Sequence, residues 1–224
     1  HQYDELAAMI ETEFGRLDGL LHNASIIGPR TPLEQLSGEN FMRVMHINVN
    51  AMFMLTSTLL PLLKLSQDAS VIFTSSSVGR KGRAYWGAYG VSKFATEGLM
   101  QTLADEVDGV APVRANSINP GATRTSMRAL AYPGENPENN PEPHEIMPVY
   151  LYLDQRAGFQ LTVTGLQPNT AGCIPCSPRF FYALKSRCSA LDQFPMLTRH
   201  SGLVEQQATL QKQIHIVVAL ADGF

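Results

Sequence analysis

The sequence predicts an α/β domain over residues 1–165, a doubly wound parallel sheet with helices on both faces, followed by a divergent tail at 166–224. Helix-like and strand-like patterns alternate along the chain, the strand candidates are short unbroken apolar runs, and glycine, proline or asparagine separates one pattern from the next. Unbroken runs suit strands covered on both faces, because both sets of side chains then leave water.

The first element is a helix over residues 2–14, where Tyr3, Leu6, Ile10 and Phe14 share one stripe and Gly15 is placed to cap the end. "LDGLLH" at 17–22 is the first strand, and it runs into "NAS" and a loop containing Gly28 and Pro29. Ser37 is the N-cap candidate for a helical run reaching about residue 64. "ASVIFTSS" at 69–76 is the second strand, and a glycine-bearing loop leads from it to a helix at about 86–108. "VRANSIN" at 113–119 is the third strand, stopped by Pro120 and Gly121. "AYPGENPENNPEPHE" at 131–145 reads as a mobile loop, "IMPVYLYL" as a short helix behind it, and "FQLTVTG" at 159–165 as an edge strand. Beyond Leu166 the pattern weakens to one amphipathic candidate at 203–220, with Leu203, Leu210, Ile214 and Val217 as a packing stripe.

Composition narrows the function classes. Seventeen basic against twenty acidic residues leave a net charge of −3, which gives no electrostatic footprint for nucleic acid or an anionic membrane. "AMFMLTSTLLPLL" is short of a bilayer span and interrupted by Thr, Ser and Pro, so no transmembrane helix is expected. Three cysteines, all late in the chain, fit a reducing cytoplasm better than a disulfide framework. Cys173 and Cys176 are half of a zinc pattern, but no second pair follows, and Cys188 and His200 are too loosely spaced; no metal is expected.

In an open parallel sheet, ligands bind at the carboxyl ends of the strands. Ser76 ends the second strand, Tyr89 and Lys93 lie one helical turn apart at the start of the next helix, and Asn48 lies within the long helical run. Each has an ordinary alternative: Asn48 can satisfy a helix distortion, Ser76 is one of three adjacent serines, and Tyr89 and Lys93 can be surface neighbours.

Taken together in register, these residues resemble the short-chain dehydrogenase/reductase family. That family pairs Tyr-x-x-x-Lys with a serine thirteen residues earlier, an asparagine upstream, an Asn-Asn-Ala-Gly strand end and a later Pro-Gly; here stand His22-Asn23-Ala24-Ser25 and Pro120-Gly121. The resemblance runs over about residues 2–153, and it implies a Rossmann-like fold and alcohol/carbonyl chemistry on a small molecule with NADP or NAD. It also implies a homodimer or homotetramer built on the helices at about 40–64 and 86–108. By resemblance, Tyr89 exchanges a proton with the substrate oxygen, Ser76 steadies that oxygen, Lys93 holds the nicotinamide ribose and Asn48 holds a water leading to Lys93. Asn23, Ala24, Pro120, Gly121 and Thr125 contact the cofactor by the same resemblance, although Thr125 equally suits a helix N-cap.

Physical chemistry assigns the lysine a second task. A free phenol titrates near about 10, and bringing it to neutrality requires roughly 4 kcal/mol of differential stabilisation, part of which a neighbouring ammonium supplies. Two features depart from the family. Ser25 stands where glycine is usual, and the chain contains neither Thr-Gly-x-x-x-Gly-x-Gly nor Gly-x-Gly-x-x-Gly, the turn that receives a dinucleotide pyrophosphate. With His1 in place of an initiator methionine, the expectation is a truncated member whose first strands are missing. Such a chain binds cofactor weakly, and "LDGLLH" becomes an unpaired sheet edge.

Overall fold

Leu20, Val71 and Ala115 lie side by side on three neighbouring parallel strands, and one residue further along Leu21 pairs with Ile72. Successive side chains in a strand face opposite ways, so this register sorts the apolar residues into two layers. The structure, a computed structural model, describes residues 1–155 and 215–218. Its elements are α1 (Gln2–Phe14), β1 (Gly19–His22), α2 (Gly38–Met45), a π-helical turn (His46–Asn50), α3 (Ala51–Leu63), β2 (Ala69–Thr74), α4 (Gly87–Val107), β3 (Val113–Ile118), α5 (Ser126–Ala131), α6 (Pro143–Gln155) and β4 (His215–Val218). The strands form one parallel sheet in the order β3-β2-β1-β4.

The larger layer joins Leu20, Val71, Phe73, Val113 and Ala115 to Leu6 and Ile10 of α1, Leu55, Leu59 and Leu63 of α3, and Met100 and Leu103 of α4. Phe73 has no exposed surface, and burying a side chain of that size contributes about 2 kcal/mol. The opposite layer sets Ile72 and Ile118 against Tyr150 and Leu153 of α6. Arg114 of β3, also on that face, ties α6 down: its guanidinium lies 2.8 Å from Asp68 and donates to the carbonyls of Leu153 and Asp154 at 2.7 and 3.0 Å. Carbonyls of a last helical turn lack intrahelical partners, so a cation there meets both a hydrogen-bonding and a dipolar demand.

The helix at 2–14, the Ser37 cap, the strands at 17–22, 69–76 and 113–119 and the helix at 86–108 all appear close to the expected bounds, with helices on both faces of a parallel sheet. The 37–64 run is a single helical rod only in outline, because residues 46–50 widen into a π turn. By length and composition Gly38–Leu63 could cross a bilayer, but its α3 portion packs as a core helix against the sheet.

Two expectations are corrected. Residues 131–145 are held by packed polar contacts: Arg124 pairs with Glu142 at 3.0 Å, its N–H donates to the Pro141 carbonyl, and Arg128 pairs with Glu135 at 2.6 Å. Charged side chains 18 and 7 residues apart close a loop whose composition alone reads as mobile. The edge of β1 is not open either, since His215–Val218 pairs with it in parallel, Gly19 opposite His215 and His22 opposite Val218. Those residues belong to the segment expected as an amphipathic helix, and "HIVV" is β-branched enough to take a ladder instead. The strand expected at 159–165, the boundary at 165, the three cysteines and His200 lie outside the described residues.

His22 closes β1 inside the larger layer, stacked on Phe73 with ring centroids 5.0 Å apart. Its Nε2 lies 2.8 Å from Thr56 Oγ1, and Thr56 already donates its hydroxyl to the Met52 carbonyl. The imidazole is therefore the donor, which selects the Nε2–H tautomer. Burial pushes the His22 pKa down to about 3 from the ordinary 6.5. The unfolded chain takes up this proton below pH 6.5 and the folded chain does not until about pH 3, so stability falls with acidification in that window. The expected slope is about 1.4 kcal/mol per pH unit. Urea denaturation between pH 7 and pH 4 measures it, and His22→Asn, which keeps a donor for Thr56, is expected to flatten the slope.

Candidate active site

β2 ends at Thr74, and Ser75 continues the ladder by donating its N–H to the Ile118 carbonyl at 2.7 Å. Ser76, extended at φ −157°, then opens a 3₁₀ turn over Ser77–Gly79. The turn runs against α4: a Cβ on Gly79 would stand 2.8 Å from the Lys93 carbonyl oxygen, so only glycine fits there. This contact brings the end of β2 onto the first turns of α4 and sets the Ser76 hydroxyl toward the Tyr89 phenol. Ser76 is thus the member of the serine triplet that acts on the tyrosine, while the Ser75 hydroxyl is buried without a partner among the described residues.

Lys93 lies one turn below Tyr89, is 1% exposed, and donates from Nζ to the Thr74 carbonyl at 2.8 Å. The amine stands 5.4 Å from the centroid of the Tyr89 ring. Burial lowers the Lys93 pKa to about 8, partly opposed by the charge of Glu97 one further turn along. Glu97 is itself buried and accepts from Ser117 at 2.9 Å and Arg80 at 3.3 Å.

The expected lowering of the Tyr89 pKa is not what this geometry produces. Burial raises it, and the Ser76 hydrogen bond offsets only part of the rise. Lys93 turns its ammonium toward a main-chain carbonyl and carries a weakened hold on its own proton, so the phenol remains protonated at neutral pH.

Asn48 sits at the centre of the π turn with no exposed surface. Its carboxamide accepts from the Ile26 N–H and donates to the Ile26 carbonyl, both at 2.8 Å, and donates to Ser92 Oγ at 3.0 Å. Ser92 in turn donates to the Tyr89 carbonyl at 2.8 Å. Asn48 therefore joins the loop after β1 to the backbone of the Tyr89 turn; its side chain is spent on protein partners.

At the other strand ends, Asn23 accepts from Thr74 Oγ1 at 3.0 Å, which puts it beside the carbonyl that holds Lys93. Since the single Thr74 hydroxyl proton goes to Asn23, Tyr150 is the donor in its 3.2 Å contact with Thr74 Oγ1. Ala24 and Ser25 follow, and the buried Ser25 hydroxyl has no partner among the described residues. After β3, Gly121 takes φ +75°, and its N–H donates to Asn119 Oδ1 at 3.2 Å, so the Pro120-Gly121 turn depends on a residue without a Cβ. Thr125 caps α5, its hydroxyl accepting from the Arg128 N–H at 3.2 Å. Of the two readings open for Thr125, capping is the one the geometry displays.

Beyond these strand ends lies a cleft of about 270 Å³ whose lining includes Ser76, Asn119 and Gly121 together with Trp86, Arg83 and Arg128. Thr74, Ser92 and Glu97 were not among the residues anticipated, nor were Arg83, Trp86 and Arg128. Ser92 had a detectable signal, because it precedes Lys93 and lies three residues after Tyr89; Arg128 and Trp86 had none, since the segments that carry them converge only in the fold.

Residues 1–136 match the family model for short chain dehydrogenase. The chain belongs to the short-chain dehydrogenase/reductase family. It is 54% identical over 149 residues to the uncharacterised oxidoreductase YciK of Escherichia coli, covering 66% of this chain and 58% of that protein. A short chain dehydrogenase structure from Pseudomonas syringae is 81% identical with a TM-score of 0.67, over 68% of this chain and 62% of that one. A Shigella flexneri family structure complexed with NADP is 54% identical with a TM-score of 0.66, over 68% and 63%. The chain thus spans less than two thirds of the length of these family members.

NADP or NAD is the family's cofactor, and the described residues fit one half of it. The buried hydroxyls of Ser25 and Thr123, which follow the carboxyl ends of β1 and β3 in the chain, have no partner among the described residues, and a polar ligand there would complete them. No residue run in the sequence has the glycine spacing of a pyrophosphate turn.

Because the folded pKa of Lys93 lies near 8 and the unfolded value near 10.5, the unfolded chain holds a proton between these limits that the folded chain has released. This group makes stability rise with pH through that window. Tyr89 and Tyr150, both raised by burial, act in the opposite sense above their ordinary value of 10.0. Chemical denaturation from pH 8 to pH 10 is expected to show the rise in the native chain and to lose it in Lys93→Met.

Proposed function

We propose that this chain carries the catalytic side of an NAD(P)-dependent oxidoreductase that reduces a small carbonyl compound, with Asn48, Ser76, Tyr89 and Lys93 as its working residues. The observation that carries this is the convergence of Ser76, from the end of β2, with Tyr89 at the start of α4, above a lysine buried one turn away whose amine donates to the Thr74 carbonyl. The cofactor, when bound, supplies or accepts the hydride. Tyr89, kept protonated by burial, gives its proton to the substrate oxygen as that oxygen gains charge, and Ser76 donates to the same atom. Lys93 is close enough to the strand end to hold a ribose hydroxyl. Its weakened proton affinity suits it to resupply the phenol through that hydroxyl. Asn48 positions Ile26 and Ser92, and a water on the main chain of its π turn would extend the relay. Asn23, Ala24, Pro120 and Gly121 would line the cofactor; Thr125 joins them through its backbone, its hydroxyl being used as a cap.

A second reading rests on a different observation. The sequence has no glycine-rich turn, while Phe53, Met54, Val91 and Phe94 expose about half their surface on α3 and α4. On this reading the polypeptide acts through association, as a homodimer or homotetramer in the cytoplasm, and binds cofactor weakly. Calorimetry is expected to give NADPH affinity weaker than micromolar for this polypeptide; micromolar binding excludes the second reading. Where carbonyl-dependent NADPH oxidation is measurable, Tyr89→Phe is expected to lower it at least about 100-fold while keeping the ring that packs on Trp86. Activity that survives the change rejects Tyr89 as proton donor. Phe94→Asp is expected to shift the sedimentation coefficient to that of a monomer, and an unchanged value rejects the α4 interface.

A further inference from the structure

The cleft also has a chemistry that the proton-transfer residues do not require. Arg83 and Arg128 both line it, beside Trp86 and Tyr132. The Arg30 guanidinium carbon lies 4.6 Å from the Trp86 ring centroid and 5.1 Å from that of Tyr132, and the Arg128 carbon lies 3.8 Å from Tyr132. Two guanidinium groups therefore stack on the two aromatic rings, and Arg83 brings a third to the same cleft wall. Glu135 is bound to Arg128 by two hydrogen bonds of 2.6 and 2.7 Å and takes a third from Asn140. Arg30 spends a hydrogen bond on the Ala131 carbonyl and has no ion pair among the described residues. Arg83 likewise has no carboxylate within ion-pair distance among the described residues, and it is exposed.

Arg128 is neutralised by Glu135, whereas Arg83 brings an unneutralised charge to the cleft wall, and an anion entering the cleft would meet it favourably. Tyr85, between Arg83 and Trp86, takes φ +70°, a left-handed conformation unfavourable for an aromatic residue, so the segment that carries Arg83 is held in a strained form.

We propose that the cleft selects carbonyl substrates bearing a carboxylate, with Arg83 as the principal anion contact and Arg128, prearranged by Glu135, as the second. This rests on the reading that the cleft is the substrate site. The cavity volume is at the low end for ligand pockets, so the substrate is small, and Ser76 and Arg83 line the same cavity. A guanidinium matches a carboxylate in both charge and fork geometry. A phosphate of the cofactor would present similar oxyanion chemistry, and the test separates the two.

Trp86 is the single tryptophan of the chain and lines the cleft, so its emission reports occupancy without turnover. Titration with 2-oxohexanoate and with 2-hexanone compares one carbonyl skeleton with and without the carboxylate. The expected result is at least about tenfold tighter binding of the oxo acid, reduced to within about twofold in Arg83→Gln and unchanged in Lys81→Gln, an exposed neighbour that does not line the cavity. Equal affinities, or a preference that survives Arg83→Gln, overturn the proposal. So does inorganic phosphate binding as tightly as the oxo acid, or NADPH displacing it, because the cationic wall then serves a bare oxyanion or the cofactor. Since no step of the reaction is read, these failures leave the role of Tyr89 untouched, and Tyr89→Phe retaining turnover leaves the anion preference untouched.

Discussion

A buried ammonium is the constraint around which the rest of this chain is arranged. Lys93 is 1% exposed, and a charge in that position persists only if the protein replaces the water it has lost. The Thr74 carbonyl does so from the end of β2, and Glu97 adds an opposing charge from one turn further along α4. Both partners require α4 to lie close against the strand ends, and Gly79 makes that approach sterically possible. The same approach sets Ser76 against Tyr89. A lysine that needs the mouth of the sheet for its solvation therefore fixes the geometry of the phenol above it.

The consequence for the proton chemistry differs from the usual picture of a lysine acidifying a tyrosine. Burial acts on both groups at once, raising the phenol and lowering the amine. What results is an acid that keeps its proton near neutrality beside a base that releases its own more readily. That pairing suits donation to a carbonyl oxygen, and Asn48 supports it indirectly by bracing Ser92 and hence the turn that carries the tyrosine.

Much of this was legible in the sequence because it depends on local spacing. Unbroken apolar runs located β1, β2 and β3; Ser37 and its neighbours located a helix start; the intervals between Ser76, Tyr89 and Lys93 are short enough to place those side chains at one strand end and the helix after it. The parts that were not legible depend on partners distant along the chain. The electrostatic effect of Lys93 on Tyr89 could not be read from a four-residue interval, because it turns on the direction of the amine, which Thr74 decides. Residues 131–145 look loose by composition and are held by Arg124 and Arg128. The cationic lining of the cleft combines Arg83 with Arg128 of α5, and Arg30 stacks on Trp86 and Tyr132 behind them, three distant segments with no shared pattern to announce them.

The pairing of β4 with β1 bears on the order in which the molecule can assemble. β1, β2 and β3 follow one another with a single crossover each, so their ladders can close as the chain emerges. Joining Gly19 to His215 closes a loop of nearly 200 residues, a contact no ribosome-bound intermediate can make until residue 218 is out. Until then, that flank of β1 is open to any passing strand, and His215–Val218 act as its cover.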